Sequence, residues 1–455
     1  MKATAFALHV SARVLPTLLA CAILLVASSA RSDEHPYSIP ALGPLQLGGY
    51  FSTMGLLRSD ADFDDSPRYY DEDGQSEGQF ATFLRPHLRL QHDALSLYYE
   101  AELGWNVWGM NNPDLALGHD EHSFLMKHRE LWASWQFDEH VRLKAGYQRV
   151  QDISGLFLNH WLGAAELALH FDELELALRF GQLPEDRFEG IDVRDNNFFS
   201  DSFFAALLGR LELGDGLSLE AEIDGLADDR VTRRPLYLLN GVLGLRFVDD
   251  EVDAFVHLAG QWGEWTNAAL GERDQQSLAW AAQAGLHQKM GDFCWGIGLL
   301  ALSGDDADAA NTHNGAYFAS AKNQSRTLML SEDEFRDRYD NLDERISTQW
   351  GAFSLNRSGL FLGDLSVGYA LAEWYHPQLV LGAAFALEPA NAFDEQFVGW
   401  ETSLINRFPL AEYAELRLVG QLLVPGAAAA VFVNDVDQSA TRPIGGAQLA
   451  FDAHF

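Results

Sequence analysis

Cysteine is scarce in this sequence. The chain has two cysteines in 455 residues, and Cys21 lies in an N-terminal segment that we expect to be removed. Cys294 would then be the single cysteine of an exported chain, which excludes an intramolecular disulfide. The folded protein must therefore be stabilised by hydrogen bonds and by burial of side chains.

Basic residues are also few. The sequence has 31 Lys and Arg against 66 Asp and Glu, a formal net charge of -35. Binding to nucleic acid requires Lys and Arg to neutralise phosphates, so no nucleic-acid partner is expected. The sequence contains no Gly-rich phosphate loop, paired-Cys metal motif or HExxH motif, so we expect no cofactor. Ser123 beside His122, and Ser154 near His160, have no convincing catalytic partners, so we expect no enzyme.

A long apolar run is missing from residues 31–455, which excludes a membrane-spanning helix there. Residues 1–30 have the pattern of a signal peptide, with a basic start, a short apolar run and small side chains before Ala30. We predict cleavage after Ala30, which leaves residues 31–455 as a single domain. The alternatives are lipoprotein processing at Cys21 and an uncleaved anchor, although the apolar run is shorter than the ~20 residues that a spanning helix needs.

What the sequence does contain is an alternation of apolar and polar residues with a period of two. In the segment 217–224, for example, apolar residues alternate with Ser218, Glu220, Glu222 and Asp224. Side chains two residues apart lie on the same face of a strand, so such segments predict β-strands. An outer-membrane barrel hides the hydrophobicity of its spanning strands in this alternation.

Short and long connections take turns between the alternating segments. Residues 137–141 and 214–217 are short connections, whereas 58–79, 107–123 and 303–358 are long ones. Bacterial barrels have tight periplasmic turns and long extracellular loops, and a soluble β-sandwich would show no such asymmetry. We therefore predict an all-β, transmembrane antiparallel β-barrel in the outer membrane of a Gram-negative cell.

The alternating segments number eighteen, and we expect both termini on the periplasmic side. Sixteen strands is the alternative, because glycines and aromatic residues blur the phase in 199–214 and 360–374. The expected strands are 45–57, 80–93, 94–108, 124–137, 140–152, 162–172, 174–186, 199–214, 216–228, 236–249, 251–266, 275–290, 293–304, 360–374, 379–389, 396–409, 414–425 and 442–455.

The last segment has an apolar residue at every second position and ends in Phe455 at the C-terminus. This pattern resembles the signal that is read by the machinery that assembles bacterial outer-membrane barrels. Phe455 is therefore our candidate membrane-assembly signal. The expected partners are the barrel assembly machinery, outer-membrane lipids and lipopolysaccharide.

The polar residues that alternate with lipid-facing ones should line the lumen. An 18-strand barrel is wide enough for an aqueous channel unless a loop fills it, and charged groups in a channel set its selectivity. The lumen-facing positions hold eight basic and eight acidic residues, the acidic ones including Glu166, Glu175, Glu212 and Asp224 besides the candidates named below, so we expect a wall of mixed sign. Pairing across strands is the alternative role of any one residue. The candidate pore-lining residues are Arg85, Arg89, Glu100, Glu102, Arg142, Lys144, Arg179, Arg210, Glu220, Glu222, Arg246 and Arg417.

Two long connections have distinctive sequences. In loop 58–79, Asp60, Asp62 and Asp64 are spaced as candidate Ca²⁺ ligands. The full EF-hand pattern is absent, so we assign no metal site and favour a solvated acidic loop. The connection 303–358 is too long to lack structure without a purpose. We expect it to fold over or into the pore, or part of 346–357 to extend the wall.

The segment 129–135, RELWASW, and the segment 141–149, VRLKAGYQR, resemble the alginate-export porin family, in which an Arg-Glu-aromatic strand leads by a short turn into a strand ending in Gly-Arg-Gln. Tyr147 departs from that pattern, because the family has Arg there. Residues around Gly155 and Ser303 are also similar, so the resemblance covers about 124–306. It implies an 18-stranded monomeric barrel that exports a linear polysaccharide, with periplasmic export proteins as partners.

The substrate does not follow from this resemblance alone. An alginate conduit should present an arginine-rich lumen to a polyuronate, whereas the expected lumen is only partly basic and the loops are acidic. We therefore expect a passive conduit for a neutral, mixed-charge or amino-sugar exopolysaccharide. The alternative is a diffusion or uptake porin for small solutes, which predicts a permanently open channel.

Overall fold

The computed structural model describes residues 37–39, 43–58, 77–106, 124–182, 203–228, 236–267, 273–305, 313–317, 327, 358–391, 394–429 and 443–455. Apart from short 3-10 turns at 389–391 and 427–429, the regular elements of these residues are strands. The strands are β1 (Tyr37–Ile39), β2 (Gly43–Arg58), β3 (Glu77–His92), β4 (Leu95–Asn106), β5 (Phe124–Gln136), β6 (Val141–Gln151), β7 (Asn159–Phe171), β8 (Leu174–Gln182), β9 (Phe203–Gly214), β10 (Leu217–Asp228), β11 (Leu236–Val248), β12 (Val252–Asn267), β13 (Arg273–Met290), β14 (Phe293–Leu302), β15 (His313–Asn314), β16 (Leu360–Tyr369), β17 (His376–Phe385), β18 (Phe397–Ala411), β19 (Ala414–Pro425) and β20 (Ile444–His454).

The long strands form one closed antiparallel sheet. Each pairs with its neighbours in the sequence, and β14 pairs directly with β16. The first long strand, β2, pairs with the last, β20, from Tyr50 opposite His454 to Arg58 opposite Gly446. Closure leaves no long edge strand exposed. Within the described residues, eighteen long strands make the barrel, so the predicted fold is confirmed and the sixteen-strand alternative is wrong.

Within the described residues, the largest differences from the predicted strand boundaries lie at the turn between β16 and β17. The strand expected over 360–374 ends at Tyr369, and residues 370–375 form a turn in which Ala372 bridges Tyr375. The next strand begins at His376, three residues before its predicted start. The apolar pattern continues through the turn, so periodicity alone could not locate the end of the strand.

The short turns lie at one end of the barrel, together with the C-terminus. Asp93 and Asp215 occupy two of these turns with φ of 47° and 51°, a conformation that Asp tolerates better than most residues. The long connections lie at the other end. By the rule for bacterial barrels, the short-turn end is periplasmic and the long-loop end is extracellular.

The outer surface of the barrel is apolar. Along β10, Leu219, Ala221 and Ile223 are exposed, and the residues between them are buried. Leu278 on β13 is 71% exposed, although burial of such a side chain would be favourable in water. A closed barrel with this exterior satisfies its backbone internally and presents its apolar face to lipid. The protein is therefore an integral outer-membrane protein, as the sequence predicted.

Among the described residues, no helix is long and apolar enough to cross a membrane.

Candidate functional site

The candidate site is the inner face of the barrel. All twelve pore-lining candidates lie on strands at positions that alternate with lipid-facing ones, so the structure places each of them on this face. Whether they touch a solute stays a prediction.

Glu102 on β4 joins two arginines. Its Oε2 lies 2.6 Å from Nε of Arg85 on β3 and 2.7 Å from Nη2 of Arg129 on β5. In the β4–β5 register, Glu100 faces Glu130 and Ala101 faces His128, so Arg129 is the extra residue of a β-bulge. The bulge turns Arg129 toward the interior, where it is only 3% exposed and its guanidinium lies 4.5 Å from the centre of the Trp161 ring.

Glu166 on β7 forms a second charged group. It binds Nη2 of Arg142 at 3.3 Å and Nε of Arg179 at 2.8 Å. The Nη1 of Arg179 also lies 3.5 Å from Oε1 of Glu222 on β10. Glu166 and Arg179 face each other in the β7–β8 register. The three ion pairs connect the predicted residues Arg142, Arg179 and Glu222, two of them between neighbouring strands and the third from β8 to β10 past β9.

A third group lies on β9 to β12. Glu220 accepts a hydrogen bond from Nε of Arg210 at 2.8 Å, and its other oxygen is 3.5 Å from Nε2 of His257. Arg246 pairs with Asp253 at 3.1 Å nearer the periplasmic end. In each of these pairs the arginine has an acidic partner.

The remaining candidates are more scattered. Glu100 accepts a hydrogen bond from the hydroxyl of Tyr98 at 2.7 Å, and Nζ of Lys144 lies 4.3 Å from the centre of the Trp132 ring. Arg89 is exposed. These residues lie in the periplasmic half of the barrel on β3 to β6.

A cavity with charges of both signs opens at the periplasmic end, between β13 and β19. Arg407 on β18 faces Arg417 on β19 directly, and both line this cavity of about 1070 Å³ with Lys289, His376, Asp292 and Glu373. Arg417 lies 3.8 Å from Asp452. The Nε of Arg407 is buried and has no hydrogen-bond partner among the described residues. Sequence reasoning identified Arg417 but missed Arg407, because the phase of β18 is blurred by Pro409.

The connection between β6 and β7 folds into the barrel. Residues 152–158 are buried except for partly exposed Ile153. The backbone N–H of Ile153 donates to Oε2 of Glu222 at 2.6 Å, and Nε2 of Gln283 donates to the carbonyl of Ser154. Leu156 packs with inward side chains from β11 to β20, such as Val242. This inward segment, residues 152–158, therefore spans the lumen between distant strands.

Asp152 holds the turn at the start of the inward segment. Its carboxylate accepts hydrogen bonds from the backbone N–H of Ser154 at 3.0 Å and of Leu158 at 2.8 Å, and from the Ser154 hydroxyl. Burial raises the pKa of the Asp152 carboxyl, and these hydrogen bonds oppose the rise. Sequence reasoning missed this segment. The signal available was an apolar Leu-Phe-Leu run directly after the turn residues Asp, Ser and Gly, which is unusual for a solvated loop.

Part of the connection 303–358 also lies inside the barrel. The hydroxyl of Tyr317 donates to Oδ1 of Asn240 at 2.9 Å, and burial raises the pKa of this hydroxyl. Ala316 and Thr327 are buried as well. The described residues of this connection thus add to the filling of the lumen. Its other residues lie outside the described part of the chain.

The lumen differs between its two ends. Inner side chains of the extracellular half, such as Phe83, Asp224, Leu362 and Val398, are almost completely buried all round the wall. At the periplasmic end, by contrast, the side chain of Arg210 is 43% exposed. Among the described residues, the interior is therefore open at the periplasmic end and largely filled in the extracellular half.

Several sequence predictions fall outside this geometry. The signal peptide 1–30 and the acidic loop with Asp60, Asp62 and Asp64 lie outside the described residues. Within the residues that the structure does describe, no group of three or more His, Cys, Asp or Glu side chains could hold a metal ion. Phe455 lies at the seam where β20 meets β2, and its role as an assembly signal stays a prediction.

Known structures with a similar fold are outer-membrane porins of Pseudomonas aeruginosa. OccK8 (OprE) superposes with a TM-score of 0.55 at 9% identity, over 90% of this chain and 98% of that one. OccK5 (OpdH) gives 0.54 at 11% and OpdL gives 0.55 at 13%, each with the same coverage. No protein-family model and no curated protein sequence matches the chain. At such identities the likeness shows the barrel fold alone.

Proposed function

We propose that this protein is a passive outer-membrane channel for small solutes, narrowed inside the barrel by the inward segment 152–158. The observation that carries the proposal is the attachment of this segment to the wall through Glu222, Gln283 and Leu156. A segment fixed in this way divides the wide lumen that an 18-strand barrel would otherwise have, so only small molecules would be expected to pass. The similar porin barrels of Pseudomonas support a channel role.

Small solutes fit this lumen better than a polysaccharide chain does. A threading polymer needs a continuous hydrated path with weak, repeated contacts. The extracellular half instead contains apolar clusters, such as Leu156 with Val242 and Phe157 with Phe204. Polysaccharide export is supported only by the short motifs that resemble the alginate-export family, and it remains the competing hypothesis. We propose no catalytic role.

Conductance in planar bilayers tests the proposal. The refolded protein should give a small single-channel conductance, and vesicles that contain it should swell in small sugars or amino acids but not in oligosaccharides. Leu156→Ser should raise the conductance, because it removes the apolar contact that holds the segment inside. Leu258→Ser, on the lipid-facing side of β12, is the matched control and should leave the conductance unchanged.

Two results would contradict the proposal. One is a conductance that Leu156→Ser leaves unaltered while oligosaccharides pass freely, because the inward segment would then not limit the passage. The other is exclusion of small solutes together with reversible block by one class of exopolysaccharide. That second result would favour an export conduit.

A further inference from the structure

The seam that closes the barrel has more side-chain contacts than a backbone ladder requires. Asp452 on β20 accepts hydrogen bonds from the Tyr50 hydroxyl at 2.7 Å and from the Ser52 hydroxyl at 2.6 Å, both on β2. The rings of Phe51 and Phe451 lie 6.2 Å apart on the outer face. The ladder also continues past β20, because Gly49 and the C-terminal residue exchange two backbone hydrogen bonds at 2.8 and 3.0 Å.

The ring of Phe455 occupies a slot that Gly49 leaves open on the outer face of β2. A Cβ at Gly49 would overlap Cζ of the Phe455 ring and lie 2.7 Å from its Cε2. Gly49 does not have a left-handed φ, so its backbone would accept any residue. Glycine is needed at this position because the Phe455 ring takes the space of a side chain, and not because of the backbone conformation.

The positions on either side of the slot carry large side chains. Strand residues two apart share a face, so the neighbours of Gly49 on the outer face of β2 are Leu47 and Phe51. A slip of the seam by two residues would press the Phe455 ring onto one of these side chains. A slip by two residues leaves all the remaining side chains on their correct faces, so hydrophobic patterning does not exclude it. A steric clash is needed to exclude such a slip.

We propose that Gly49 and Phe455 form a steric lock that selects the register in which the first and last strands close the barrel. In the observed register the Phe455 ring lies against a residue without a side chain. In a register shifted by two residues in either direction it would meet a large side chain. The lock acts within the chain, whereas an assembly signal at Phe455 acts through the assembly machinery. The proposal does not depend on what passes through the channel.

Refolding of the purified chain in detergent or lipid vesicles, without the assembly machinery, tests the lock. Gly49→Leu should lower the yield or rate of folding roughly fivefold or more, since overpacking of a tight site has about this effect on an equilibrium. Gly420→Leu on β19 is the matched control, because nothing lies within 4 Å of a Cβ at that exposed position. Folding is measured by the gel shift of unheated samples and by protection from trypsin.

The Phe455→Ala background decides whether the ring is the cause. With the ring removed, Gly49→Leu should have no further effect, and Phe455→Ala alone should itself lower the refolding yield. The proposal is overturned if Gly49→Leu folds as well as Gly420→Leu, or if it causes the same loss with and without the ring. It is equally overturned if Phe455→Ala refolds normally, because Phe455 would then act through the machinery alone.

Discussion

Glu102 shows how single charged residues are used inside this barrel. It binds Arg85 and Arg129 together, and both Glu102 and Arg129 are nearly inaccessible to solvent. Charges in such a place are tolerated when partners compensate for lost hydration, and removal of one partner leaves the other uncompensated. The pairing therefore matters more for stability than for conduction.

Glu102→Gln should accordingly destabilise the folded barrel by about 3 kcal/mol, because it leaves a buried arginine without its carboxylate. Denaturant unfolding of the protein in lipid or detergent measures this. Asp253→Asn is the control: it breaks a half-exposed pair with Arg246 and should cost at most about 1 kcal/mol. Equal losses in the two variants would show that burial does not govern these ion pairs.

Arg407, unlike Glu102, is expected to affect conduction more than stability. It faces Arg417 in the periplasmic cavity, and its buried Nε has no hydrogen-bond partner among the described residues. Charge that is not balanced locally attracts counter-ions into a channel. Arg407→Gln should therefore shift the reversal potential in a KCl gradient toward cation selectivity.

The control for that measurement is Arg149→Gln. Arg149 is exposed at a position that alternates with the inner face of β6, so its loss should not change ion selectivity. A shift of equal size in both variants would show that the overall charge of the protein, rather than the cavity, determines the effect.

At the scale of elements, β5 and β6 separate halfway along their length. Their ladder ends where Leu131 faces Tyr147, although each strand continues on its other side. Gly146 lies at this point with φ of 137°, and a Cβ there would overlap the carbonyl oxygen of Leu131 and lie 2.6 Å from Cα of Trp132. The divergence makes room for Arg129 and for the inward turn after β6.

Gly146→Ala should destabilise the barrel by about 2 kcal/mol, because it combines a φ that side chains rarely adopt with overlap against backbone. The midpoint of thermal unfolding should fall. Gly241→Ala on β11 serves as control, since nothing lies within 4 Å of a Cβ there. A wild-type midpoint for Gly146→Ala would show that the strands can separate without this glycine.

At the scale of the whole molecule, the barrel reverses the arrangement of a soluble protein, in which apolar side chains lie inside and polar ones outside. Its inner face carries ion pairs and the filling segments, and its outer face carries exposed apolar residues such as Leu243 and Trp262. This arrangement is stable where lipid covers the exterior and every backbone group is paired across strands. It places the functional chemistry on the inside only.

Leu243→Arg, near the middle of β11, should therefore cost about 2–4 kcal/mol of folding free energy in a bilayer. Leu410→Arg, at the periplasmic end of β18, should cost no more than about 1 kcal/mol, because a charge there reaches the membrane interface. Denaturant unfolding from lipid vesicles compares the two. If the loss of folding free energy were the same in both variants, the position inferred for the apolar outer face in the membrane would be contradicted.

Much of this organisation could be read from the sequence. The strand count, the alternation of faces and the inner-face position of residues such as Arg179 and Glu220 follow from a period of two, which is a local property of the chain. The alternation of short and long connections located the two ends of the barrel. The sequence therefore determined the type of fold and the face on which most of the strand residues lie.

The tertiary structure alone decided which residues meet across the lumen. The bulge that turns Arg129 inward, the attachment of Ile153 to Glu222 and the slot for Phe455 beside Gly49 each join residues that are distant in the chain or shifted from the regular pattern. Local periodicity contains no information about such contacts, because they depend on barrel closure and on how an irregular segment packs inside it. The width of the passage, and hence the class of solute, belongs to this second kind of information.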